Sequence, residues 1–198
     1  MPRVPKAARA GRGTRLTALL IVAGLAVVAV AGLAAAKSFT LKVSEGVHVN
    51  NSSIPAALKV KTVNVHETVA VGPAGYAVYT FQGETTHHLI CKKTTSAGTN
   101  CWAFWPPVSV NSAKGLAAQT GIKGKLGTFK NHGERQLTLG GKPLYYFTPD
   151  IQGGNKKQAM GDELKTFGSI WHIVTVGKSK STNSPPAQGG QGGLPPGY

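Results

Sequence analysis

The chain has 198 residues, which allows one domain or two small ones that share a core. Its 22 Lys and Arg exceed its 7 Asp and Glu, for a formal net charge of +15. Five of the 22 cations precede residue 16, which leaves 17 against 7 acids, a net charge of about +10, from Lys37 onward. Only Arg135 among those 17 is arginine, so sequence-specific nucleic-acid binding, which favours arginine, is not expected. A basic surface favours anionic partners, and a solvated lysine coat that serves solubility is the alternative.

Residues 16–36 form a stretch of 21 residues without a charge, directly after the five cations. At about 1.5 Å per residue this stretch is long enough, as one N-terminal hydrophobic helix, to cross a hydrocarbon core of about 30 Å. The positive flank predicts that the rest of the chain lies outside the cytoplasm. Residues 1–36 are therefore either a retained single-pass membrane anchor or a signal peptide cleaved after Ala34-Ala35-Ala36.

The two cysteines of the chain, Cys91 and Cys101, are closely spaced. In an oxidising compartment such a pair predicts a disulfide. A redox-active pair is the alternative, but the spacing differs from the Cys-x-x-Cys pattern of redox motifs. A zinc site would need His87 and His88 as further ligands, and adjacent histidines are poorly placed on one tetrahedral ion, so no metal is predicted there.

Short β-rich stretches separated by glycine-rich turns predict an all-β domain over residues 37–177. The predicted strands are 39–49, 57–65, 76–81, 107–110, 125–129, 135–139, 143–147 and 170–176. Only 112–119 and 158–166 could hold short helices. Residues 178–198 are rich in Ser, Pro, Gly and Gln, a composition that predicts a disordered tail.

The predicted domain repeats itself at an offset of 66 residues. The matched pairs are Gly75 and Gly141, Tyr79 and Tyr145, Phe81 and Phe147, Glu84 and Asp150, Trp105 and Trp171, and His66 and His132. These pairs predict two quasi-equivalent units, about 63–110 and 129–176. Neither unit is large enough to bury a good core alone, so we expect both to pack into one β-body with pseudo-twofold symmetry.

Each unit carries a Tyr-x-Phe-x-x-acid motif. The second contains Tyr145, Phe147 and Asp150, and the first contains Tyr79, Phe81 and Glu84. A Cys-…-Cys-x-x-x-Trp-Pro-Pro element follows the first motif and consists of Cys91, Cys101, Trp105, Pro106 and Pro107.

These elements resemble the family called secreted repeat of unknown function, also described as predicted lipoproteins with a conserved Tyr-x-(Phe/Trp/Tyr)-x-x-Asp motif. The resemblance covers roughly residues 63–176 and implies an exported fold without an assigned activity. The chain departs from the family in its wide cysteine spacing, in a second unit that lacks the cysteines and the Pro-Pro, and in lacking a lipobox cysteine. The last departure argues against lipid attachment.

The motif residues have two interpretations. Tyr145 and Phe147 point to one face of a strand, and the acid three residues later can accept backbone N–H bonds at a turn. A duplicated motif most simply repeats a packing unit, and we favour that structural role over a ligand site of aromatics plus a carboxylate. Trp105 and Trp171 are likewise interpreted as core residues, and Pro106-Pro107 as the end or edge of a strand.

No catalytic signature, such as a nucleophile elbow, a His-Glu-x-x-His helix or a Walker loop, is present, so no enzyme activity and no cofactor are predicted. The sequence favours an exported, non-enzymatic binding or structural module of the envelope. Its expected partners are anionic cell-wall polymers or lipid head groups, and the membrane itself through residues 16–36 if these are not cleaved. The alternatives are an extracytoplasmic redox or metal- or haem-handling protein and an undetected enzyme. The candidate metal or haem ligands are His48, His66, His87, His88, His132 and His172.

Overall fold

A computed structural model describes residues 38–177 of the chain. This part is mostly β-sheet with few helical residues, as the sequence predicts. No helix among residues 38–177 has the length and apolar character needed to span a membrane. The predicted N-terminal hydrophobic helix at 16–36 and the predicted tail at 178–198 lie outside the described residues.

The described strands are short and form three sheets of three strands each. Their bounds are β1 Lys42–Asn50, β2 Asn64–Val71, β3 Tyr79–Phe81, β4 Leu126–Asn131, β5 Glu134–Leu139, β6 Lys142–Pro143, β7 Gln158–Ala159, β8 Lys165–Thr166 and β9 Ser169–Ile173. β1 lies between β2, antiparallel to it, and β7, parallel to it. β9 lies between β3 and β8, and β5 lies between β4 and β6, with antiparallel pairing throughout.

Short helical turns lie between some of the strands. A 3₁₀ turn covers Ala56–Leu58, α1 covers Cys101–Phe104 and α2 covers Thr148–Gly153. The strand predicted at 57–65 is therefore mostly wrong, because its alternating residues precede β2 as a turn and an irregular segment. The helices considered at 112–119 and 158–166 are also absent from the described chain. In the second of these segments, the pairing of β7 with β1 and of β8 with β9 replaces a helix.

Within the second segment, Gly161 lies against two buried rings. A Cβ atom at this position would lie 2.8 Å from Cη2 of Trp105 and 2.9 Å from the ring of Tyr79. The backbone N–H of Gly161 donates a hydrogen bond to the Tyr79 hydroxyl at 3.2 Å. The chain can therefore pass this close to two buried rings only at a residue without a side chain.

The sheets meet at two tyrosines. Tyr79 and Tyr145 exchange both backbone hydrogen bonds, with N···O distances of 2.9 and 3.0 Å. Tyr79 also pairs with Ile173 of β9, and Tyr145 with Pro107. Each tyrosine segment is thus paired on both sides, so the two segments lie at the centre of the β-structure.

Residues 38–177 form one compact unit. Two apolar clusters lie within it, one around Trp105 and Trp171 and the other around Leu137 and Leu144. The disulfide between Cys91 and Cys101 is also contained there. Because the unit carries its own core and its own covalent crosslink, we use residues 37–198 as a folding unit in the experiments below.

Candidate functional site

Four aromatic rings form a continuous stack at the centre of the first apolar cluster. The rings of Trp105 and Trp171 stack with centroids 3.8 Å apart and planes 5° apart. Phe81 stacks on the outer face of Trp171 at 4.1 Å, and Phe147 stacks on Trp105 at 4.4 Å. All four side chains are buried, so both tryptophans are core residues, as the sequence predicts.

The acid of the second motif binds the tyrosine of the first. The Tyr79 hydroxyl donates a hydrogen bond of 2.6 Å to Oδ2 of Asp150, and the N–H of Met160 donates one of 2.8 Å to Oδ1. Burial raises the pKa of Asp150 to about 6, although both hydrogen bonds act to lower it. Burial, followed by the charge of Asp150, raises the pKa of Tyr79.

The acid of the first motif lies beside the tyrosine of the second. Oε1 of Glu84 accepts hydrogen bonds of 2.8 Å from the N–H groups of Ile90 and Cys91. Oε2 of Glu84 and the Tyr145 hydroxyl are buried, and neither has a hydrogen-bond partner among the described residues. Burial raises the pKa of both groups, and for Tyr145 the charge of Glu84 is the second cause. Both motif acids therefore accept backbone N–H groups, and neither is open to a dissolved substrate.

The predicted disulfide is present. Cys91 and Cys101 are bonded, with a Cα–Cα distance of 5.3 Å. The bond joins the segment held by Glu84 to the first residue of α1. Trp105 follows directly after α1, and the Pro106 carbonyl accepts the N–H of Tyr146 at 2.9 Å. The disulfide therefore fixes the start of the segment that carries Trp105 into the core.

The histidines are dispersed over the fold. His48 and His66 stack across β1 and β2 at 4.7 Å. His132 occupies the turn between β4 and β5 with a φ of 47°, and its ring meets the edge of Trp102. His66 and His132, which the 66-residue offset matches, therefore have different settings. His87 and His88 lie in an exposed turn in which the hydroxyl of Thr85 accepts both backbone N–H groups.

The sixth histidine lies beside two acids. Ligand atoms of Asp162, Glu163 and His172 all lie within 4.8 Å of one another. Some of these atoms already have partners, because Glu163 Oε1 pairs with Lys61 at 3.3 Å and Asp162 Oδ1 accepts the N–H of Ile173 at 2.9 Å. The arrangement has a donor set that suits a divalent cation, and it also serves as a local ion-pair network.

The surface beside the ring stack contains a groove of about 610 Å³. It is lined mainly by apolar side chains from the 3₁₀ turn, α1, α2 and β8. The lining residues are Ile54, Pro55, Leu58, Gly98, Phe104, Trp105, Phe147, Pro149, Leu164, Lys165, Thr166 and Phe167. Because ligand pockets are commonly apolar clefts of about 300–1,000 Å³, this groove has the size and lining of a binding site.

Sequence reasoning missed the groove. Leu58 lies within the predicted strand 57–65, and no motif of the sequence specifies Phe104. In the structure the side chains of Leu58 and Phe104 are 44% and 51% exposed and line the groove. The motif residues Trp105 and Phe147 form part of its lining, so the groove adjoins the motif core without exposing the motif acids.

Residues 129–175 match the model of the family described as secreted repeat of unknown function. The match contains the second motif and Trp171, and it confirms the resemblance over this segment. Neither a curated protein nor a solved structure matches the chain. The family is described as secreted, which supports an extracytoplasmic location for this protein of unknown function.

Proposed function

We propose that this protein is a non-enzymatic binding module of the cell envelope that associates with anionic envelope material. One observation carries the proposal, namely the charge and exposure of its cations. Residues 37–198 carry 17 cations against 7 acids, and every lysine between residues 38 and 177 except Lys59 is exposed. Exposed lysines attract polyanions as solvated point charges with little stereospecificity. The chemistry fits lipid head groups and acidic wall polymers.

The placement of the acids supports a non-enzymatic role. Asp150 is 3% exposed and bonded to Tyr79, and Glu84 is 1% exposed and bonded to backbone N–H groups. A general acid or base must come within hydrogen-bond reach of the substrate. Both motif acids are too deeply buried for that contact, so they serve the fold.

The domain is an internal duplication in which each unit completes the other. Backbone hydrogen bonds that are equivalent at an offset of 66 join the units reciprocally, one donated by the second unit to the first and the other donated by the first unit to the second. Val174 N–H donates to the Val78 carbonyl at 3.0 Å, and Val108 N–H donates to the Leu144 carbonyl at 2.9 Å. The Tyr79–Asp150 bond has its counterpart in the contact between Tyr145 and Glu84.

The offset changes to 67 before the tyrosine strands. Val69 pairs with Thr175, whereas Gln136 pairs with Ser109, and the first members of these pairs are 67 residues apart. The stretch from Val69 to Tyr79 is therefore one residue longer than the equivalent stretch from Gln136 to Tyr145. This difference accounts for the unlike settings of His66 and His132, because the offset of 66 does not extend to them.

The export segment completes the proposal. Residues 16–36 serve as a retained membrane anchor or as a cleaved signal peptide, and both place residues 37–198 outside the cytoplasm. A retained segment would tether the domain to the membrane.

Sedimentation of residues 37–198 with isolated bacterial envelopes tests the electrostatic association. We expect the protein to pellet at low salt and to stay in the supernatant near 1 M salt, where the Debye length falls to about 3 Å. A domain that stays soluble at low salt, or that pellets equally at both salt concentrations, would refute the proposal. The cations would then serve solubility.

A second candidate function, metal handling, is favoured by the cluster of Asp162, Glu163 and His172. Carboxylate and imidazole ligands together suit Zn²⁺ and other first-row divalent ions. Calorimetric titration with Zn²⁺ tests it, with His172→Ala as the variant and His87→Ala as the control. Binding that is lost only in His172→Ala would support this function, and binding unchanged by both substitutions would exclude this cluster as the site.

A further inference from the structure

The large exposed apolar side chains of the described chain are concentrated near the groove. Leu58 and Phe104 line it, and Val60, two residues from Leu58, is 46% exposed. Phe104 and Phe167 approach with ring centroids 6.3 Å apart, so aromatic rings from α1 and from the turn after β8 lie close together there. Exposed apolar surface of this kind beside a cleft marks an interaction site.

The lining of the groove carries a positive charge. Among the described residues that line it, Lys165 is charged and none is acidic. The segment that carries Leu58 and Val60 also carries Lys59 and Lys61, so apolar and cationic side chains alternate there. Lys61 pairs with Glu163 and Lys59 donates to backbone carbonyls, so Lys165 is the cation that the groove lining itself presents. An apolar cleft with an ammonium group in its lining suits a ligand with a hydrocarbon part and an anionic part.

We propose that the groove binds one acyl chain of an anionic membrane lipid, with Lys165 paired to the charged head group. This inference rests on the proposed function and deepens it, because it selects lipid over wall polymer. An acidic wall polymer offers charge but little hydrocarbon, and it would leave Leu58 and Phe104 in water. The acyl chain of a bilayer lipid is already out of water, so the gain comes from the apolar groove walls that it covers, at about 25 cal/mol for each Å² removed from water, and a polar polymer does not supply this gain.

Trp105 provides a direct probe, because its indole forms part of the groove lining. Bromine on a lipid chain quenches tryptophan fluorescence only when it comes close to the ring. Residues 37–198 are mixed with phosphatidylglycerol vesicles whose acyl chains carry bromine, and matched vesicles without bromine correct for environmental changes. We expect vesicles of brominated phosphatidylglycerol to quench the tryptophan emission. Vesicles of brominated phosphatidylcholine, which carry no net charge, should quench it much less.

Two variants locate the contact. Phe104→Ser removes an exposed apolar wall and should weaken vesicle binding about tenfold, in line with the loss of part of a buried aromatic side chain. Phe104→Leu, which keeps an apolar wall, should restore most of the affinity. Lys165→Gln should weaken binding to anionic vesicles and reduce its salt dependence, whereas Lys142→Gln, an exposed lysine of β6 outside the groove lining, should change binding much less.

The outcomes separate this inference from the proposed function. The protein could pellet with vesicles and envelopes in a salt-dependent manner and yet show neither bromine quenching nor an effect of Phe104→Ser. That result would overturn the acyl-chain site and leave the electrostatic function standing. Failure to pellet with any anionic material would overturn both. Quenching by free brominated fatty acid but not by brominated vesicles would overturn the assignment to a membrane lipid. A dimer in light scattering that dissociates in Phe104→Ser would overturn it in favour of a second copy of the chain.

Discussion

Replacing Tyr79 with Phe tests the tie between the two motifs. The substitution keeps the buried ring but removes the hydroxyl that donates to Asp150 at 2.6 Å and accepts from Gly161 at 3.2 Å. A hydrogen bond to a charged group contributes about 1.5–3 kcal/mol, and a buried N–H left without a partner costs about 1–3 kcal/mol. We expect a loss of about 3 kcal/mol in the free energy of unfolding, or about 10 °C in the melting temperature.

Tyr145→Phe is the matched control. Tyr145 is as deeply buried as Tyr79, and its hydroxyl lies beside Glu84 and Gln136 without forming a hydrogen bond of normal geometry. Its removal should change the free energy of unfolding by less than about 1 kcal/mol. Urea unfolding of residues 37–198 and both variants, with the disulfide intact, measures the difference. Equal losses in the two variants would refute the hydrogen-bond assignment, since both lose the same atom from the same kind of site.

The pH dependence supplies a second readout of the same substitution. Burial raises the folded-state pKa of Asp150 from 3.8 to about 6. The stability from burying the neutral acid is therefore fully present below about pH 4 and is lost as the pH rises through 6, a change of roughly 3 kcal/mol. Because the Tyr79 hydroxyl lowers this pKa, the Tyr79→Phe variant should lose more stability than the wild type between pH 5 and pH 8. If the difference in the free energy of unfolding between the wild type and Tyr79→Phe were the same at pH 5 and at pH 8, the hydrogen bond from Tyr79 to Asp150 would be contradicted.

Three further predictions concern the parts that hold this core. The double substitution Cys91→Ser and Cys101→Ser should lower the free energy of unfolding by about 2–3 kcal/mol in urea unfolding, because the disulfide closes a short loop. Two free thiols in protein recovered from the envelope would contradict the disulfide. Gly161→Ala should lower the free energy of unfolding by about 1–3 kcal/mol, because the added Cβ atom clashes with Trp105 and Tyr79. Gly153→Ala, whose Cβ atom would meet no other atom within 4 Å, should leave it unchanged in the same assay. Ending the chain at Lys178 should leave the melting temperature of residues 37–198 unchanged within about 2 °C, because the removed segment lacks the apolar content needed to pack; a large drop would contradict this.

The motif core could be predicted from local sequence because its signals are local. Spacing in Tyr-x-Phe-x-x-acid places the two rings on one strand face, and the recurrence of Trp105 as Trp171 indicates two equivalent environments. The close pair of cysteines in an exported chain indicates the disulfide. The sequence did not reveal that Asp150 would bind Tyr79, 71 residues away, since a crossing between units leaves no local pattern.

The errors have physical causes as well. Alternation in 57–65 favours a strand, but before β2 the segment forms only an isolated bridge of Lys59 with Leu164, and its apolar residues Leu58 and Val60 remain exposed. Residues 158–166 have helix-forming side chains, yet β7 pairs with β1 and β8 pairs with β9, and these pairings with distant residues leave no pattern in the local sequence. The groove depends on four separate chain segments, so it exists only in the tertiary structure.

Native-state hydrogen exchange tests most directly the central claim that the two motif units complete each other and unfold as one body. The amides of Tyr79, Tyr145, Val108 and Val174 make the hydrogen bonds that join the units. We predict that all four exchange only through global unfolding, with the same free energy as urea unfolding, and that Tyr79→Phe lowers all four by the same amount. Exchange of the Tyr145 and Val108 amides at a free energy several kcal/mol below that of the Tyr79 and Val174 amides would contradict the claim.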